Sequence, residues 1–354
     1  MSSGFFHNKS ILVTGGAGFI GSALIRYLLK STNCFISNLD KIGYAGDLER
    51  IDSLLSTLPL AEQRRYKFFN VNLECINEID KVFQSSRPDI VIHLAAESHV
   101  DRSIDSPVSF VKNNINGTLN LLDISLKYYK QLSIINKKIF RFIQVSTDEV
   151  FGTLGSYGSF SENSPYLPRS PYSASKASSD HLVRSWHNTY DLPVVLTHCS
   201  NNYGPWQFPE KLIPLTIHNV LSSIPIPIYG DGKQIRDWLY VDDHVAALMK
   251  VAELGEIGRT YCIGGSHEIT NIELVEKICS EIDQMSNKKI KYNIIHVNDR
   301  LGHDRRYSID SSRIIEELDW RPKFSFDTNL KFTIKWYLDN FKWTSNIKKR
   351  ISIR

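Results

Sequence analysis

The amino-acid sequence predicts an α/β protein built on a doubly wound parallel sheet, and two observations support this. Short apolar runs alternate with amphipathic helical patterns across the first 200 residues. A glycine-rich turn lies between the first of these runs and the first helical pattern. Such a β-α-β alternation is typical of parallel strands with helices on both faces of the sheet.

The glycine turn follows the first predicted strand, residues 11–13, and places glycines at positions 15, 16, 18 and 21. Without Cβ atoms, the backbone N–H groups and the N-terminus of the next helix can approach a pyrophosphate. The spacing is G-x-x-G-x-x-G rather than the more common G-x-G-x-x-G. In its strand-turn-helix context, it predicts a Rossmann-type dinucleotide site.

The second predicted strand, residues 34–39, ends in Asp40. A carboxylate at this distance from the glycine turn is suited to hold the hydroxyls of an adenosine ribose. It would repel a 2′-phosphate, so the sequence favours NAD over NADP as the cofactor.

The other elements of the first lobe, which we assign to residues 1–200, follow in order. The patterns predict strands at 66–71, 90–94, 141–146 and 194–199, helices at 48–58, 74–86, 107–130 and 172–190, and a loop over 152–171. Ligands of such sheets bind at the carboxyl ends of the strands, so the motifs there are candidates for chemistry.

Beyond residue 200 prolines are frequent and the alternation is less regular, which indicates a smaller substrate-binding lobe over 201–345, interleaved with the first. We predict strands at 226–229, 259–263 and 290–296, and helices near 211–222, 242–253, 271–284 and 327–341. Residues 346–354 are basic and are expected to form a solvated tail.

Composition argues against several classes of protein. The formal charge is +4 over 354 residues without a concentrated basic stripe, so nucleic acid is not an expected partner. The sequence has neither a membrane-length apolar run nor a signal peptide. The five cysteines are scattered and fit neither a disulfide framework nor a metal site, which favours a cytoplasmic protein without a metal.

Tyr172 and Lys176 are four residues apart on a predicted helix, so their side chains share one face. We expect the ammonium group to lower the pKa of the phenol and to bond the nicotinamide ribose. Such a tyrosine can take the proton of a carbinol as hydride leaves for NAD⁺.

Asp148 and Glu149 follow the fifth predicted strand. Neighbouring side chains on an extended segment point in opposite directions, so both can reach one substrate only through an irregular turn. Two carboxyl groups with different pKa values suit an elimination, in which one accepts a proton from carbon and the other protonates a departing hydroxyl.

Longer stretches carry a resemblance to a known family, among them LAAESHVDRS, VSTDEVFG, SNNYGP and HDRRY. Together with the glycine turn and Y-x-x-x-K, they resemble the extended short-chain dehydrogenase/reductase superfamily. Within it the chain is similar to the NAD-dependent nucleotide-sugar epimerase/dehydratase family and its dTDP-glucose 4,6-dehydratases, from residue 11 to about 340.

The resemblance implies oxidation of glucose C4, elimination across C5 and C6, and hydride return to C6. Tyr172 would be the base at C4, assisted by Lys176, and Thr147 would bond the C4 hydroxyl. Glu149 would remove the C5 proton, and Asp148 would protonate the leaving C6 hydroxyl. The product would be dTDP-4-keto-6-deoxyglucose.

The resemblance also implies binding residues and a homodimer formed by the helix after Pro107 and the Tyr172 helix. Tyr172 and Lys176 would contact NAD, together with Gly15, Gly18, Phe19, Ile20, Gly21, Asp40, Lys41, Asn72, Leu73, Leu94, Ala95, Ala96, Ser98, Asn113 and Asn202. Ser98 and Thr147 would contact the nucleotide sugar, together with Asn201, Lys211, Leu212, Pro227, Tyr229, Arg236, Asn271, His303, Arg305, Arg306 and Tyr307.

Three features depart from the family pattern. Asn72 stands where an aspartate usually accepts a hydrogen bond from adenine, Asn113 replaces a usual threonine, and the loop over 152–171 is shorter than in the enterobacterial forms.

Dehydratases for CDP-, GDP- or UDP-sugars remain alternatives, as does a nucleotide-sugar 4-epimerase or decarboxylase. The Asp148–Glu149 pair argues against the epimerase and decarboxylase, and the full set of reactive residues argues against a non-catalytic NAD-sensing scaffold.

Overall fold

The computed structural model describes residues 4–287 and 289–352. Its strands are β1 (Ser10–Thr14), β2 (Phe35–Asp40), β3 (Tyr66–Asn70), β4 (Ile90–His93), β5 (Arg141–Thr147), β6 (Val194–Cys199), β7 (Asn201–Tyr203), β8 (Ile226–Tyr229), β9 (Ile235–Tyr240), β10 (Thr260–Ile263), β11 (Glu268–Thr270) and β12 (Ile294–Val297). Seven of them form one parallel sheet in the order β3-β2-β1-β4-β5-β6-β10. The predicted doubly wound α/β fold is confirmed, and the strand order reverses between β1 and β4.

Helices cover both faces of this sheet and build most of the smaller lobe. They are α1 (Phe19–Ser31), α2 (Glu49–Leu55), α3 (Leu60–Gln63), α4 (Ile76–Ser86), α5 (Val100–Asp105), α6 (Pro107–Phe110), α7 (Gly117–Gln131), α8 (Ile134–Ile139), α9 (Pro171–Tyr190), α10 (Leu212–Leu221), α11 (Val241–Leu254), α12 (Asn271–Ser286), α13 (Ser312–Leu318), α14 (Phe326–Asp339) and α15 (Phe341–Ser352). Within the described ranges, no helix combines the length and apolar character that crossing a bilayer demands.

The strands of the first 200 residues lie within two residues of the predicted positions. Every residue of β4 and β6 is buried, because helices pack on both faces of a parallel sheet. Their carboxyl ends open together toward the smaller lobe, which places the motifs that follow β1, β4 and β5 along one edge.

The helix predicted over 107–130 is interrupted in the structure. A π-helical segment, Val111–Asn116, separates α6 from α7. Asn114 in this segment is buried and accepts the Glu97 N–H at 2.8 Å, while its amide donates to Ser175 Oγ at 2.8 Å. The local widening thus places an amide side chain where it joins the loop after β4 to α9.

The smaller lobe contains a three-stranded sheet, β11-β9-β7, and the pair β12-β8. Its core joins side chains of α10, α12, α14 and α15. The strand predicted over 290–296 begins later, at Ile294. The strand predicted over 259–263 belongs to the large sheet instead, because all four residues of β10 are buried and pair in parallel with β6.

The C-terminal segment also differs from its prediction. Instead of a solvated tail after residue 345, α15 continues through Ser352. Ile347 is buried against the core of the smaller lobe, and Trp343 on the same helix donates its indole N–H to Asp47 at 3.0 Å. The apolar spacing of residues 343 and 347 explains this docking, since they lie on one helical face.

Candidate active site

One cleft lies at the carboxyl ends of the large sheet, and residues of the smaller lobe line its other side. The five predicted catalytic residues line it, as do all the predicted cofactor-binding residues. Of the predicted substrate-binding residues, Ser98, Thr147, Asn201, Lys211, Leu212, Tyr229, Arg236, Asn271, His303 and Tyr307 line it too. The fold thus gathers them in one place, while their individual roles stay predictions.

The glycine turn forms a cradle that side chains would fill. Gly15 has φ +75°, and a Cβ there would lie 2.6 Å from the backbone nitrogen of Ala95. A Cβ on Gly21 would overlap the carbonyl oxygen of Gly15. The turn can therefore pass close under β4 and present its N–H groups and the start of α1 to an anion.

Asp40 lies at the end of β2 and is held by main-chain donors. Its carboxylate accepts the N–H of Ala17 at 2.9 Å and that of Ile42 at 2.7 Å. Burial raises the pKa of Asp40, and these two hydrogen bonds oppose the rise. The next residue, Lys41, bonds Asn113 and pairs with Glu97 at 3.2 Å, so the departure at position 113 still provides a polar partner.

Asn72, the other departure from the family pattern, lies beyond the end of β3. Its amide oxygen accepts the N–H of Glu74 at 3.1 Å, so the side chain is held by its own turn. Asn72 lines the cleft, and its amide oxygen, with two lone pairs, can accept a second hydrogen bond.

Tyr172 and Lys176 lie on the first turns of α9, whose start is fixed by Pro171 and by a capping box between Ser170 and Ser173. Lys176 is buried and donates to the carbonyl oxygen of Val145 at 2.9 Å. The predicted lowering of the Tyr172 pKa is wrong for this structure. Burial raises that pKa well above its ordinary value, and the neighbouring Glu149, Cys199 and Asp148 raise it further.

The segment after β5 has the irregular turn that the acid pair requires. Residues Asp148–Phe151 form a 3₁₀ turn, so both carboxyl groups line the cleft. Thr147 is the N-cap of this turn, and its hydroxyl accepts the N–H of Glu149 at 3.3 Å and donates to Asp148 at 3.3 Å. The other carboxylate oxygen of Asp148 is buried without a hydrogen-bond partner.

The two carboxyl groups differ in electrostatic environment. Burial raises the pKa of Asp148 well above its ordinary value, and Glu149 and Asp237 raise it further. Burial also raises the pKa of Glu149, but Lys211, Arg236 and Arg300 oppose this. Asp148 is therefore the group that keeps its proton, and Glu149 is the stronger candidate for a base.

The smaller lobe contributes cationic and aromatic side chains to the other side of the cleft. The guanidinium of Arg236 lies 4.3 Å from the ring centre of Tyr307 and donates to the carbonyl oxygen of Asp304 at 3.0 Å. Lys211, at the start of α10, donates to the carbonyl oxygen of Ser98 at 3.1 Å. The Lys211 contact joins the lobe to the loop after β4.

Arg300 also lines the cleft, and sequence reasoning missed it. Its guanidinium pairs with Asp101 through two nitrogens and lies 4.9 Å from the ring centre of Tyr229. The hydroxyl of Tyr229 donates to the same carboxylate at 3.1 Å. The nearby His303–Tyr307 motif was the available signal, because Arg300 is only three residues before it.

Three predicted substrate-binding residues do not line the cleft in this structure, and their contacts with substrate stay predictions. Pro227 lies within β8, opposite Ile295 of β12. Arg305 is exposed and pairs with Asp231 at 3.0 Å. Arg306 pairs with Glu268 and donates to carbonyl oxygens of the loop over 152–171, so it fixes that loop to β11.

The chain is similar to known proteins over nearly its whole length. The family model described as GDP-mannose 4,6 dehydratase matches residues 12–333. The chain is 50% identical over 346 residues to the dTDP-glucose 4,6-dehydratase of Neisseria meningitidis serogroup B, covering 96% of both chains. It is 49% identical over 349 residues to the Salmonella typhimurium enzyme of the same name, covering 96% of this chain and 95% of the relative.

Solved structures of nucleotide-sugar enzymes also match the chain. The Streptomyces venezuelae dTDP-glucose 4,6-dehydratase DesIV, solved with NAD and dTDP bound, matches with a TM-score of 0.85 and 39% identity over 95% of this chain and 99% of that chain. A Thermotoga maritima UDP-glucose 4-epimerase matches with a TM-score of 0.80 but 28% identity, over 94% and 99%. Since half of the aligned residues are identical to those of a named dTDP-glucose 4,6-dehydratase over 96% of the chain, and the identity to this epimerase is only 28%, the chain belongs to the dTDP-glucose 4,6-dehydratase family.

Proposed function

We propose that this protein converts dTDP-glucose to dTDP-4-keto-6-deoxyglucose and water with NAD as a retained cofactor. The observation that carries the proposal is the pair of acids beside Tyr172 in one cleft, the buried Asp148 and the half-buried Glu149. The chain that holds them has half its residues identical to a named dTDP-glucose 4,6-dehydratase. A simple dehydrogenase needs the tyrosine but has no use for two further acids in the cleft.

The residues present fit NAD. The glycine cradle has no room for side chains, and Asp40 presents a carboxylate at the end of β2 where a ribose diol can donate to it. Lys176 would bond the nicotinamide ribose. When bound, NAD⁺ accepts hydride from sugar C4 and later returns it to C6.

Tyr172 would take the proton of the C4 hydroxyl, and Thr147 would hold that hydroxyl in place. Because burial raises the pKa of Tyr172, the phenol must lose its own proton before it can accept that of the C4 hydroxyl. The negative charge of Glu149 contributes to this rise, and the positive charge that NAD⁺ would bring into the cleft would oppose it and favour the phenolate.

Once C4 is a ketone, the C5 proton is acidic and Glu149 would accept it. Asp148 would donate its proton to the C6 hydroxyl, which leaves as water. Once hydride has been added at C6, Glu149 would return its proton to C5, and the proton that Tyr172 took from the C4 hydroxyl would replace the one that Asp148 gave to the departing water, so the protons balance over the cycle. This division of roles follows the pKa values, since Asp148 holds its proton more firmly in the buried site.

The diphosphate would lie against the cations of the smaller lobe. The rise in the pKa of Glu149 is opposed by Lys211, Arg236 and Arg300. These cations therefore lie close enough to the acid pair to stabilise negative charge on the bound nucleotide sugar. Guanidinium groups suit a diphosphate because they offer paired donors. The nucleobase assignment to thymine is supported by the dTDP-glucose 4,6-dehydratase relatives.

Deuterium at C4 of the substrate tests the reaction. We expect the product to carry that deuterium at C6 within the same molecule, with none in free NADH. Transfer between labelled and unlabelled molecules, or deuterium in soluble NADH, would contradict a retained cofactor and favour an ordinary dehydrogenase. Parallel incubations with UDP-, CDP- and GDP-glucose test the nucleobase, and an equal rate with any of them would overturn the thymine assignment.

We also propose a homodimer in the cytoplasm. Val108 and Val111 on the segment after Pro107 are 63% and 46% exposed, which supports an interface there. All five cysteines are unpaired, which supports a reducing compartment. Light scattering of the protein and of Val108→Glu tests the first proposal, and a wild-type monomer would overturn it.

A further inference from the structure

A fully buried arginine contacts the glycine turn. Arg50 lies at the start of α2, its side chain is 0% exposed, and it is among the residues that line the cleft. Its Nη1 donates to the carbonyl oxygen of Ala17 at 2.7 Å and to that of Ala45 at 2.8 Å. One guanidinium group therefore joins the glycine turn to the loop after β2.

The contact with Ala17 lies where the glycine turn enters α1. Gly18 is the N-cap of this helix, so the Ala17 carbonyl immediately precedes the helix start. The same carbonyl oxygen accepts the N–H of Asp47 at 3.0 Å, and the N–H of Ala17 donates to Asp40 at 2.9 Å. The charge of Arg50 thus lies within hydrogen-bond distance of the main chain that can present its N–H groups to a pyrophosphate.

Arg50 has no counter-ion in the part of the chain that the structure describes. Within residues 4–287 and 289–352 it forms no salt bridge, and its Nε and Nη2 have no hydrogen-bond partner. Asp47 and Asp40 are the acids whose charges favour its protonated form, but their carboxylates accept hydrogen bonds from Trp343 and from main-chain N–H groups instead. A buried cation without an ion-pair partner destabilises a fold unless another group stabilises it.

The surroundings of Arg50 shield it from solvent and leave it charged. The ring centre of Trp343 on α15 lies 5.7 Å from Cζ of Arg50, within the range of a cation–π contact. Arg26 on α1 donates to the main-chain carbonyl of Arg50 at 3.2 Å, so a second guanidinium group lies close by. Burial lowers the pKa of Arg50 to about 10, which still leaves it a cation at neutral pH. Because water is excluded here, this charge is screened less than a charge on the surface.

We propose that Arg50 provides a fixed positive charge for the pyrophosphate of NAD and is a positioning residue of the cofactor site. It acts through the Ala17 carbonyl and through the field of its charge, because its unpartnered nitrogens are themselves buried. The dinucleotide then supplies the negative charge that the described residues do not place beside the guanidinium. The inference rests on the proposed function only in taking NAD as the cofactor, and binding measurements test it without turnover.

The experiment measures the Kd of ¹⁴C-labelled NAD by equilibrium dialysis of the full-length protein, with ADP-ribose and adenosine as competitors. Arg50→Gln keeps a donor for one carbonyl and removes the charge, so it should weaken NAD and ADP-ribose by about tenfold each. Adenosine has no phosphate, and its affinity should change by less than about twofold. Arg50→Lys keeps the charge and should bind NAD within about threefold of wild type. Arg64→Met is the control, because it removes the same charge from an exposed residue outside the cleft.

An unchanged NAD affinity in folded Arg50→Gln overturns the proposal, as does an equally large loss in Arg50→Lys. Equal weakening of NAD, ADP-ribose and adenosine also overturns it, because Arg50 would then act only by shaping the glycine turn. If Arg50→Gln does not fold, Arg50→Met takes its place, and failure of both to fold means that the arginine serves the fold rather than the anion, which overturns the proposal. Wild type that binds no NAD would overturn the proposed function together with this inference, so the two failures are distinguishable.

Discussion

The two sides of the cleft are built differently. On the sheet side, the glycine turn, Asp40 and Thr147 each lie at or directly after the carboxyl end of a strand, and main-chain hydrogen bonds hold them. On the lobe side, Arg300 and Tyr229 are placed by contacts with Asp101, a residue of the other lobe. On the sheet side, burial controls the pKa values of the reactive groups. On the lobe side, pairing between charged side chains controls where they lie.

This difference has an energetic consequence. The sheet side holds buried groups whose pKa values are shifted, and one substitution there changes the chemistry of the whole cluster. The lobe side holds partly exposed ion pairs, which contribute less individually and are weakened by salt. We therefore expect large effects on kcat from the sheet side and smaller effects on KM from the lobe side.

The largest effect is expected for Tyr172→Phe. Without the hydroxyl, no group is placed to take the C4 proton, so kcat should fall by about 10²–10⁴-fold, the range of a positioned acid–base group. NAD and dTDP affinities, measured by calorimetry, should change little. Tyr190→Phe is the control, since this tyrosine lies exposed at the end of the same helix. A near-normal kcat in Tyr172→Phe would exclude this residue as the base.

The acid pair comes next, with an expected loss of about 10²–10³-fold in kcat for either residue. Glu149→Gln should abolish exchange of the C5 proton with solvent. Asp148→Asn should slow the elimination yet permit C4 oxidation and some C5 exchange, because Glu149 remains. Deuterium uptake from D₂O, followed by mass spectrometry, distinguishes the two. The reverse pattern would require exchanging their roles.

The same contrast explains which parts of the molecule the sequence predicted. Strand ends on the sheet side follow from local pattern, since an apolar run and the residue after it fix both the strand and its site. The π-helical segment at Val111–Asn116 could not be predicted, because it depends on contacts of Asn114 with distant residues. Arg300 and Arg306 could not be sorted by sequence either, since only pairing with Asp101 or Glu268 decides which of them faces the cleft.

On the lobe side, Arg300→Met should raise the KM for dTDP-glucose by about 10–100-fold, the range for a lost charge-assisted hydrogen bond. Arg305→Met is a matched control with the same loss of charge, and it should leave KM within about twofold because Arg305 is exposed and pairs away from the cleft. Equal effects from the two variants would mean that overall charge, rather than position, governs binding of the nucleotide sugar.

The cofactor preference is a smaller effect on the sheet side. Wild type should bind NAD at least about tenfold more tightly than NADP, because a 2′-phosphate would meet the Asp40 carboxylate. Asp40→Asn removes the negative charge, keeps an oxygen acceptor for one of the Ala17 and Ile42 N–H groups, and should narrow the preference for NAD over NADP several-fold. Asp52→Asn, exposed on α2 and outside the cleft, should leave it unchanged. Equal affinities for both cofactors in wild type would contradict the role of Asp40.

The smallest expected effect is on thermal stability, and removing a carboxylate changes Tm in opposite directions on the two sides of the cleft. Burial raises the pKa of Asp148, so above the ordinary value of about 3.9 the folded state holds a proton that the unfolded state has released. Unfolding therefore becomes more favourable as pH rises through that window. Asp148→Asn removes this penalty, and its Tm should exceed that of wild type by about 2 °C at pH 8 and by less at pH 4.

On the lobe side, a hydrogen bond from Arg305 lowers the pKa of the exposed Asp231. The ionised Asp231 therefore stabilises the folded state above its ordinary pKa, and this stabilisation is lost as the pH falls. Asp231→Asn should therefore lower Tm slightly at pH 8. Thermal unfolding of both variants at the two pH values measures this, and a lower Tm for Asp148→Asn at pH 8 would mean that the carboxyl is ionised and stabilised in the folded protein.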